Sequence, residues 1–194
     1  MVRPPPTISL FAKFPTPGAA KTRLAPALGD EGAAQIHRLL VERTIAVLQA
    51  SGLPFVVRTT GAEQGEFANW LGADFLLEDQ GTGDLGARLA RVVPPAIVLG
   101  ADIPDLEVQH LHDAAHALED VPVVIGPARD GGYYLLGFRE DMPFLWGNMA
   151  WGTETVLKRT EARLEQRNIA YRLLETLDDC DRPEDLSNWP DLVP

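Results

Sequence analysis

The sequence has little of three features that would each place it in a particular class of protein. It contains a single cysteine, Cys180, which excludes an internal disulfide and a zinc site built from cysteines. Its longest apolar stretches have the length of strands, so we expect no segment that crosses a bilayer. The first six residues lack the apolar core of a secretory signal, which together with the cysteine usage favours a cytoplasmic location.

Basic residues are also scarce. The 194 residues include 17 Lys and Arg against 28 Asp and Glu, a formal net charge of −11. Such a chain cannot build a broad basic face, which argues against nucleic acid or an anionic membrane as a partner. Walker loops and serine nucleophile elbows are missing too. His112 and His116 have a spacing that zinc can use, but without a third ligand nearby we interpret them as ordinary helix residues.

Short apolar runs alternate with longer segments of helical periodicity along the chain. Strands are predicted at residues 7–12, 55–60, 75–77, 96–99, 121–125, 133–137 and 170–174. Helices are predicted at residues 30–49, 63–71, 85–93, 107–118, 153–167 and 183–188. This alternation is typical of a largely parallel α/β sheet with right-handed crossovers, and the length fits one domain spanning residues 1–194. Ligands of such sheets bind beyond the carboxyl ends of the strands.

Three cations cluster in a Pro/Gly loop directly after the first predicted strand. They are Lys13, Lys21 and Arg23, within the segment 11–24. Backbone N–H groups of such a loop can approach an anion, and the cations add attraction. We interpret the loop as a phosphate-binding site, with a proline-stiffened surface loop and solvated cations as the alternative.

Asp102 comes just past the end of the buried strand predicted at 96–99. A carboxylate at that position, facing clustered cations and a phosphate, is a good ligand for Mg²⁺, which prefers a few carboxylates together with phosphate oxygens and waters. Asp105, which follows Pro104, is instead predicted to cap the next helix.

Two glycine-containing segments have both a binding and a structural interpretation. Asp130 precedes Gly131 and Gly132, which either let the backbone approach a ligand or form a hairpin turn between two strands. In the loop 79–88, which carries Asp84 and Arg88, a nucleotide or phosphate can be held by backbone N–H groups, or Asp84 can simply cap the helix.

Two other positions allow two interpretations each. Asp181 belongs to the acidic segment 178–186, which either caps a terminal helix or contributes to a metal site. Trp151 is suited to stacking on a base or sugar and equally to packing in the core.

Taken together, the segments resemble a family of small bacterial glycosyltransferase-like proteins, the rSAM/selenodomain-associated transferases of the nucleotide-diphospho-sugar transferase superfamily. Five matching segments occur in the family's order, at residues 11–24, 80–88, 100–106, 130–137 and 181–186. The resemblance implies a Rossmann-like GT-A fold, an α/β architecture with a mostly parallel mixed sheet of about seven strands and helices on both faces. It further implies that Lys13, Lys21 and Arg23 hold phosphates and that Asp102 is the metal aspartate, and the position of Asp130 also looks like that of phospholactate guanylyltransferase, a nucleotidyltransferase of the superfamily.

We therefore expect a transferase that uses Mg²⁺ (or Mn²⁺), bound between Asp102, Asp130 and a diphosphate. Asp84, Arg88, Gly131 and Gly132 are expected to complete the nucleotide site. The donor is a nucleotide sugar for glycosyl transfer or a nucleoside triphosphate for nucleotidyl transfer, and the acceptor is a small molecule. The alternative from a different functional class is a nucleotide-binding protein that catalyses no reaction. The sequence does not determine the donor, the acceptor or the oligomeric state.

Overall fold

The computed structural model describes residues 4–193 and contains one sheet of seven strands in the order β3-β2-β1-β4-β6-β5-β7. The strands are β1 (Thr7–Lys13), β2 (Phe55–Thr60), β3 (Leu77–Asp79), β4 (Ala96–Leu99), β5 (Val123–Pro127), β6 (Tyr133–Phe138) and β7 (Tyr171–Leu173). All neighbours pair in parallel except β6, which runs antiparallel to both β4 and β5. The predicted mixed and mostly parallel α/β sheet is confirmed.

Helices cover both faces of this sheet. They are α1 (Ala25–Ser51), α2 (Gln64–Leu71), α3 (Leu85–Leu89), α4 (Val108–Asp120), α5 (Pro143–Trp146) and α6 (Val156–Glu165), followed by 3₁₀ turns at Pro183–Asn188 and Pro190–Leu192. One core cluster packs α1, α2 and α4 against the sheet, and a second packs α3, α5 and α6 against it. The central strand β4 is buried at all four residues, because both of its faces are covered.

Helix α1 is interrupted near its start, just after the cation-bearing segment 11–24, which is called the phosphate-loop candidate below. Gly29 has φ 71° inside the helix, a left-handed backbone that glycine tolerates without a steric penalty. The predicted start at residue 30 coincides with this break, and the four preceding residues form a separate helical turn. The loop between β1 and α1 stays close to the carboxyl end of β1, where the Lys13 ammonium donates to the Ala19 carbonyl.

Several predicted boundaries differ from the structure. The strand predicted at 75–77 lies two residues later, because its pairing with β2 begins at Leu77. The predicted cap at Asp105 is wrong: α4 begins at Val108 with Glu107 as its N-cap. The Asp105 carboxylate instead accepts a hydrogen bond from Trp189 Nε1 at 3.0 Å, which ties the end of the chain to this loop.

Among residues 4–193, no helix has both the length and the apolar character needed to cross a bilayer.

Candidate functional site

A pocket of about 360 Å³ opens at the carboxyl ends of β1 and β4. These strands are parallel neighbours, with Leu10 opposite Leu99, so the residues that follow them meet at one edge of the sheet. The polar residues that line the pocket are Lys13, Lys21, His37, Asp102 and Asp181, and its apolar wall includes Phe11, Leu85, Leu89 and Tyr133. The structure thus brings together Lys13, Lys21 and Asp102, which the sequence singles out separately.

The Lys21 ammonium is enclosed by oxygen atoms. Its Nζ lies 2.6 Å from Asp102 Oδ1 and 3.5 Å from Asp181 Oδ1, and it donates to the Cys180 carbonyl at 2.7 Å. Only 3% of the side chain is exposed. Burial alone would lower the pKa of Lys21, but the adjacent Asp102 carboxylate outweighs it and raises that pKa above its ordinary value. Lys21 is therefore a permanently charged buried cation.

Asp102 provides the other half of this ion pair and faces the pocket. Its side chain retains 51% of its exposed surface, so it lies in a recess lined by protein atoms but open to solvent. Desolvation by the surrounding protein would raise the pKa of Asp102. The charge of Lys21 and its hydrogen bond to Asp102, with a smaller contribution from His37, outweigh this effect and lower the pKa below the ordinary range. Asp102 is consequently ionised and accessible from the pocket, as a metal ligand has to be.

His37 is a site residue that the sequence interpretation missed. Its Nε2 lies 2.9 Å from the Lys13 carbonyl, and because a carbonyl only accepts, Nε2 carries the proton. Burial lowers the pKa of His37 more than the nearby Asp102 charge raises it, so the ring is neutral near pH 7. The residue lies on the apolar stripe of α1, next to Ile36 and three residues before Leu40. A histidine in such a stripe is normally a core residue, so the pattern gave no functional signal.

The other two loop cations are held by different partners. Lys13 Nζ donates to the Ala19 carbonyl at 2.6 Å, a contact that closes the loop on itself. Arg23 pairs with Asp181 Oδ2 at 2.6 Å and keeps 57% of its side chain exposed. Asp181 therefore joins Lys21 and Arg23, and it connects the acidic segment near the end of the chain to the phosphate-loop candidate.

Asp130 lies in the turn of an antiparallel hairpin between β5 and β6, as the structural alternative predicted. Its Oδ1 accepts from the backbone N–H of Gly132 at 2.8 Å. Gly131 has φ 89°, and a Cβ there would lie 2.2 Å from the Glu154 carbonyl, so the close approach at this glycine is to the protein's own backbone. Burial, followed by the charge of Asp130, raises the pKa of Asp179 to about 6. Asp130 is thereby linked to the same acidic segment.

The loop before α3 is held to the sheet by its polar side chains. Asp84 Oδ1 accepts from Ala87 N at 2.8 Å, which confirms its predicted role as a helix cap. Arg88 donates to the Gly83 carbonyl at 3.1 Å and to Gln80 Oε1 at 3.3 Å. Gln80 in turn is buried and donates to carbonyls of β1 and β2. A nucleotide-binding role for Asp84 and Arg88 stays a prediction.

Sequence reasoning also missed the Gly-x-Gly-x-x-Gly spacing of Gly81, Gly83 and Gly86, which runs from the loop after β3 into α3. In this chain the spaces that a Cβ would fill are taken by protein atoms: a Cβ at Gly86 would lie 2.6 Å from the Trp146 carbonyl and 2.9 Å from Trp151 Nε1. Trp151 itself packs, partly buried, against the core cluster of α3, α5 and α6. The glycines therefore serve close packing.

A divalent cation is implied by the family resemblance, and the donor atoms at Lys21 are suited to one. Within residues 4–193, no group of three or more His, Cys, Asp or Glu side chains is arranged to hold a metal ion. However, one cation already stands at the site, because the Lys21 ammonium is surrounded by Asp102 Oδ1, Asp181 Oδ1 and the Cys180 carbonyl. Carboxylate and carbonyl oxygens are the hard donors that Mg²⁺ and Mn²⁺ prefer.

Comparisons with known structures identify the fold. A candidate nucleotide-diphospho-sugar transferase from Desulfovibrio desulfuricans G20 is 27% identical, with a TM-score of 0.88 over 95% of this chain and 87% of the other. CMP:2-keto-3-deoxy-manno-octonic acid synthetase in complex with CTP is 15% identical, with a TM-score of 0.58 over 97% and 98% of the two chains. Rv0371c from Mycobacterium tuberculosis H37Rv in complex with manganese is 17% identical, with a TM-score of 0.52 over 98% of each chain.

These likenesses confirm the predicted relationship to nucleotide-diphospho-sugar transferase-like proteins, whereas the rSAM/selenodomain association stays a prediction. No curated protein matches the sequence. Residues 44–153, more than half of the chain, match the model of a family described as "Uncharacterized protein conserved in bacteria (DUF2064)", and the chain belongs to that family.

Proposed function

We propose that this protein transfers a group from a nucleotide-activated donor to a small acceptor, with Mg²⁺ or Mn²⁺ as cofactor. The observation that carries the proposal is the ion pair between Lys21 and Asp102 at the floor of a pocket at the carboxyl edge of the sheet. An ionised carboxylate and a buried cation side by side suit a ligand that carries both a metal and phosphates. The complexes of similarly folded proteins with CTP and with manganese support this assignment.

The proposal gives roles to Lys13, Lys21, Asp102 and Asp181 of the pocket lining, and to Arg23 and Asp130, which are not among the lining residues. Lys13, Lys21 and Arg23 hold the donor phosphates, because charge-assisted hydrogen bonds to phosphate oxygens are the strong ones. Asp102 ligates the cation, with Asp130 or Asp181 as the second carboxylate. When bound, the cation withdraws charge from the phosphate oxygens as a Lewis acid. Lys21 and Arg23 stabilise the negative charge that develops on the departing phosphate.

Glycosyl transfer from a nucleotide sugar is our first candidate reaction. The acceptor hydroxyl attacks the anomeric carbon, the bond from that carbon to the phosphate oxygen breaks, and the hydroxyl proton passes to solvent or a base. The nucleotide leaves as its diphosphate, or as its monophosphate when the donor carries a single phosphate. In this reaction Lys13, Lys21 and Arg23 would hold the diphosphate.

Nucleotidyl transfer is the second candidate, favoured by the same fold in CMP:2-keto-3-deoxy-manno-octonic acid synthetase. In that reaction an oxygen of the acceptor attacks the α-phosphorus of a triphosphate. The bond from that phosphorus to the bridging oxygen breaks, and pyrophosphate leaves. Asp84, Arg88, Gly131 and Gly132 are proposed to complete the nucleotide site in either reaction.

A thermal-shift screen followed by a product assay tests the proposal. Nucleoside triphosphates and nucleotide sugars are added with and without Mg²⁺, and the best stabiliser is then incubated with a pool of sugar, phosphate and carboxylate acceptors. Release of a nucleoside diphosphate or monophosphate identifies sugar transfer, and release of pyrophosphate identifies nucleotidyl transfer. Stabilisation without any release across the pool would favour a binding protein, and absence of stabilisation by every nucleotide would contradict the proposal.

A further inference from the structure

We propose that the Lys21 ammonium is a built-in counter-cation, which a divalent metal displaces from Asp102 only when a nucleotide binds. The inference rests on the proposed function and adds that binding of the metal and binding of the nucleotide depend on each other. It is based on the oxygen atoms that surround the Lys21 ammonium.

The three oxygens around Lys21 form a cation site that is already filled. Its Nζ is 2.6 Å from Asp102 Oδ1 and 2.7 Å from the Cys180 carbonyl, and Asp181 Oδ1 lies at 3.5 Å. A divalent ion that used these oxygens would have to stand where the ammonium stands. Two cations at bonding distance from the same carboxylate oxygen repel each other, and the almost completely buried Lys21 ammonium is poorly screened by water. Metal and ammonium therefore exclude each other.

The loop holds Lys21 in place at a conformational cost. Lys21 has φ 48°, a left-handed backbone that side chains with a Cβ rarely adopt. Such a conformation persists where surrounding contacts hold it, and here they are the oxygens around Nζ and the backbone hydrogen bond from Leu24 N to the Lys21 carbonyl at 2.8 Å. When Nζ leaves its oxygens, this backbone bond keeps Lys21 in the segment 11–24, which also carries Lys13 and Arg23. The phosphates of a bound nucleotide would meet all three cations there.

The consequence is a coupling between the two ligands. Without a nucleotide, Lys21 already neutralises Asp102, so a bare metal ion gains little by binding. With a nucleotide, the phosphates supply new negative charge for both the metal and the released ammonium. Metal and nucleotide should therefore bind together, each raising the affinity for the other by the same factor.

Titration of the nucleotide-free protein with Mn²⁺, followed by electron paramagnetic resonance of the free ion, tests this idea without any measurement of activity. Lys21→Met keeps the buried aliphatic stem and removes the charge. We expect it to bind Mn²⁺ about tenfold or more tightly than the wild type, because the Asp102 carboxylate then lacks its counter-charge and attracts a cation strongly. The matched control is Lys13→Met, which removes a charge from the same pocket but from a residue that donates to the Ala19 carbonyl. It should change the affinity by no more than about twofold.

Two further variants guard against a folding defect in Lys21→Met and check that Asp102 is the group that attracts the ion. Lys21→Gln retains a hydrogen-bond donor toward Asp102 and serves if Lys21→Met does not fold. It should show the same gain in Mn²⁺ affinity. Adding Asp102→Asn to either variant should abolish the gain, because the carboxylate that attracts the ion is then absent.

The outcomes separate this inference from the proposed function. Mn²⁺ affinities of both Lys21 variants that equal or fall below that of the wild type would overturn the displacement. If Asp102→Asn alone nevertheless removed Mg²⁺-dependent nucleotide binding, the proposed metal site would stand and only the displacement would fail. If Asp102→Asn left that binding intact, the metal site itself would be wrong.

Discussion

The charge of Asp102 has a structural role in the metal-free protein as well as its proposed role toward the metal. Replacing it with asparagine removes the charge that balances the buried Lys21 ammonium and leaves Asp181, at 3.5 Å, as the carboxylate beside it. We expect Asp102→Asn to lower the free energy of unfolding in EDTA by about 1–2 kcal/mol, a modest loss because Asp102 is half exposed. Chemical denaturation measures it.

The same variant should lose Mg²⁺-dependent nucleotide binding. Its matched control is Asp105→Asn in the same loop, since an asparagine oxygen can still accept from Trp189 Nε1 and the residue is not part of the pocket lining described above. Nucleotide binding by the control should retain its dependence on Mg²⁺. Unchanged stability and unchanged metal dependence in Asp102→Asn would contradict both roles of the carboxylate.

Asp179 should make the metal-free protein less stable as the pH rises. Burial and the charge of Asp130 raise its folded-state pKa to about 6 from the ordinary value of 3.8. The native state therefore holds this proton more tightly than the unfolded chain, and the stability that it supports is present below about pH 4 and is lost as the pH rises through 6.

Asp179→Asn removes this penalty. We expect the free energy of unfolding in EDTA to rise by roughly 2 kcal/mol at pH 7.5 and to change little at pH 4. Denaturant unfolding at the two pH values measures the difference. The control is Asp141→Asn at an exposed position, which should change the free energy of unfolding by the same small amount at pH 4 and at pH 7.5. An equal effect of Asp179→Asn at the two pH values would show that its charge is not responsible.

Single residues also show how far the sequence could predict the site. Lys21 and Asp102 were both predicted, because each follows a strand that ends at the same edge of the sheet. Asp102 was expected to face the loop cations, but the burial of Lys21 was not predictable, because it also depends on Cys180 and Asp181, about 160 residues further along the chain. The exposed Arg23 agrees with the expected solvated loop, whereas the buried Lys21 does not.

At the scale of elements, the hairpin turn between β5 and β6 depends on glycine at position 131. Its φ is 89°, and only 2.2 Å would separate an added Cβ from the Glu154 carbonyl, so the backbone must move to admit any side chain. Gly131→Ala should therefore lower the free energy of unfolding by more than about 2 kcal/mol, measured by chemical denaturation.

Gly147 supplies the matched control for this prediction. It has φ −70°, and a Cβ there would have no heavy atom within 4 Å. Gly147→Ala should change stability by less than about 1 kcal/mol. Similar losses in the two variants would mean that the turn relaxes without cost around Gly131.

Elements with a strong apolar pattern were predicted well, and elements fixed by tertiary contacts were not. The strands β2 and β4 have the predicted bounds, because continuous apolar or β-branched runs determine them locally. The four residues of α5 were missed, since so short a helix has no periodicity and is stabilised by packing of Leu145 and Trp146 in the core. The cap of α4 is Glu107 rather than the predicted Asp105, whose carboxylate accepts from Trp189 Nε1.

At the scale of the whole molecule, the net charge of −11 opposes the approach of an anionic ligand. Three cations at one sheet edge offset it locally, but Asp102 and Asp181 are already paired with two of them. A nucleotide alone therefore meets partly neutralised cations, and a metal alone meets a neutralised carboxylate. Under the proposed function, this arrangement favours binding of the metal and the nucleotide together over binding of either one alone.

Thermal unfolding should show this preference directly. A ligand at about one hundred times its dissociation constant stabilises a protein by about 2.7 kcal/mol, which raises the Tm of a domain of this size by roughly 5–10 °C. We expect that shift for the correct nucleotide with Mg²⁺, and shifts of less than about 2 °C for Mg²⁺ or nucleotide alone at the same concentrations. In Asp102→Asn the combined shift should fall to that of nucleotide alone. A full shift with nucleotide alone, retained in Asp102→Asn, would instead assign the binding energy to Lys13, Lys21 and Arg23 without a metal, and the coupling between the two ligands would be absent.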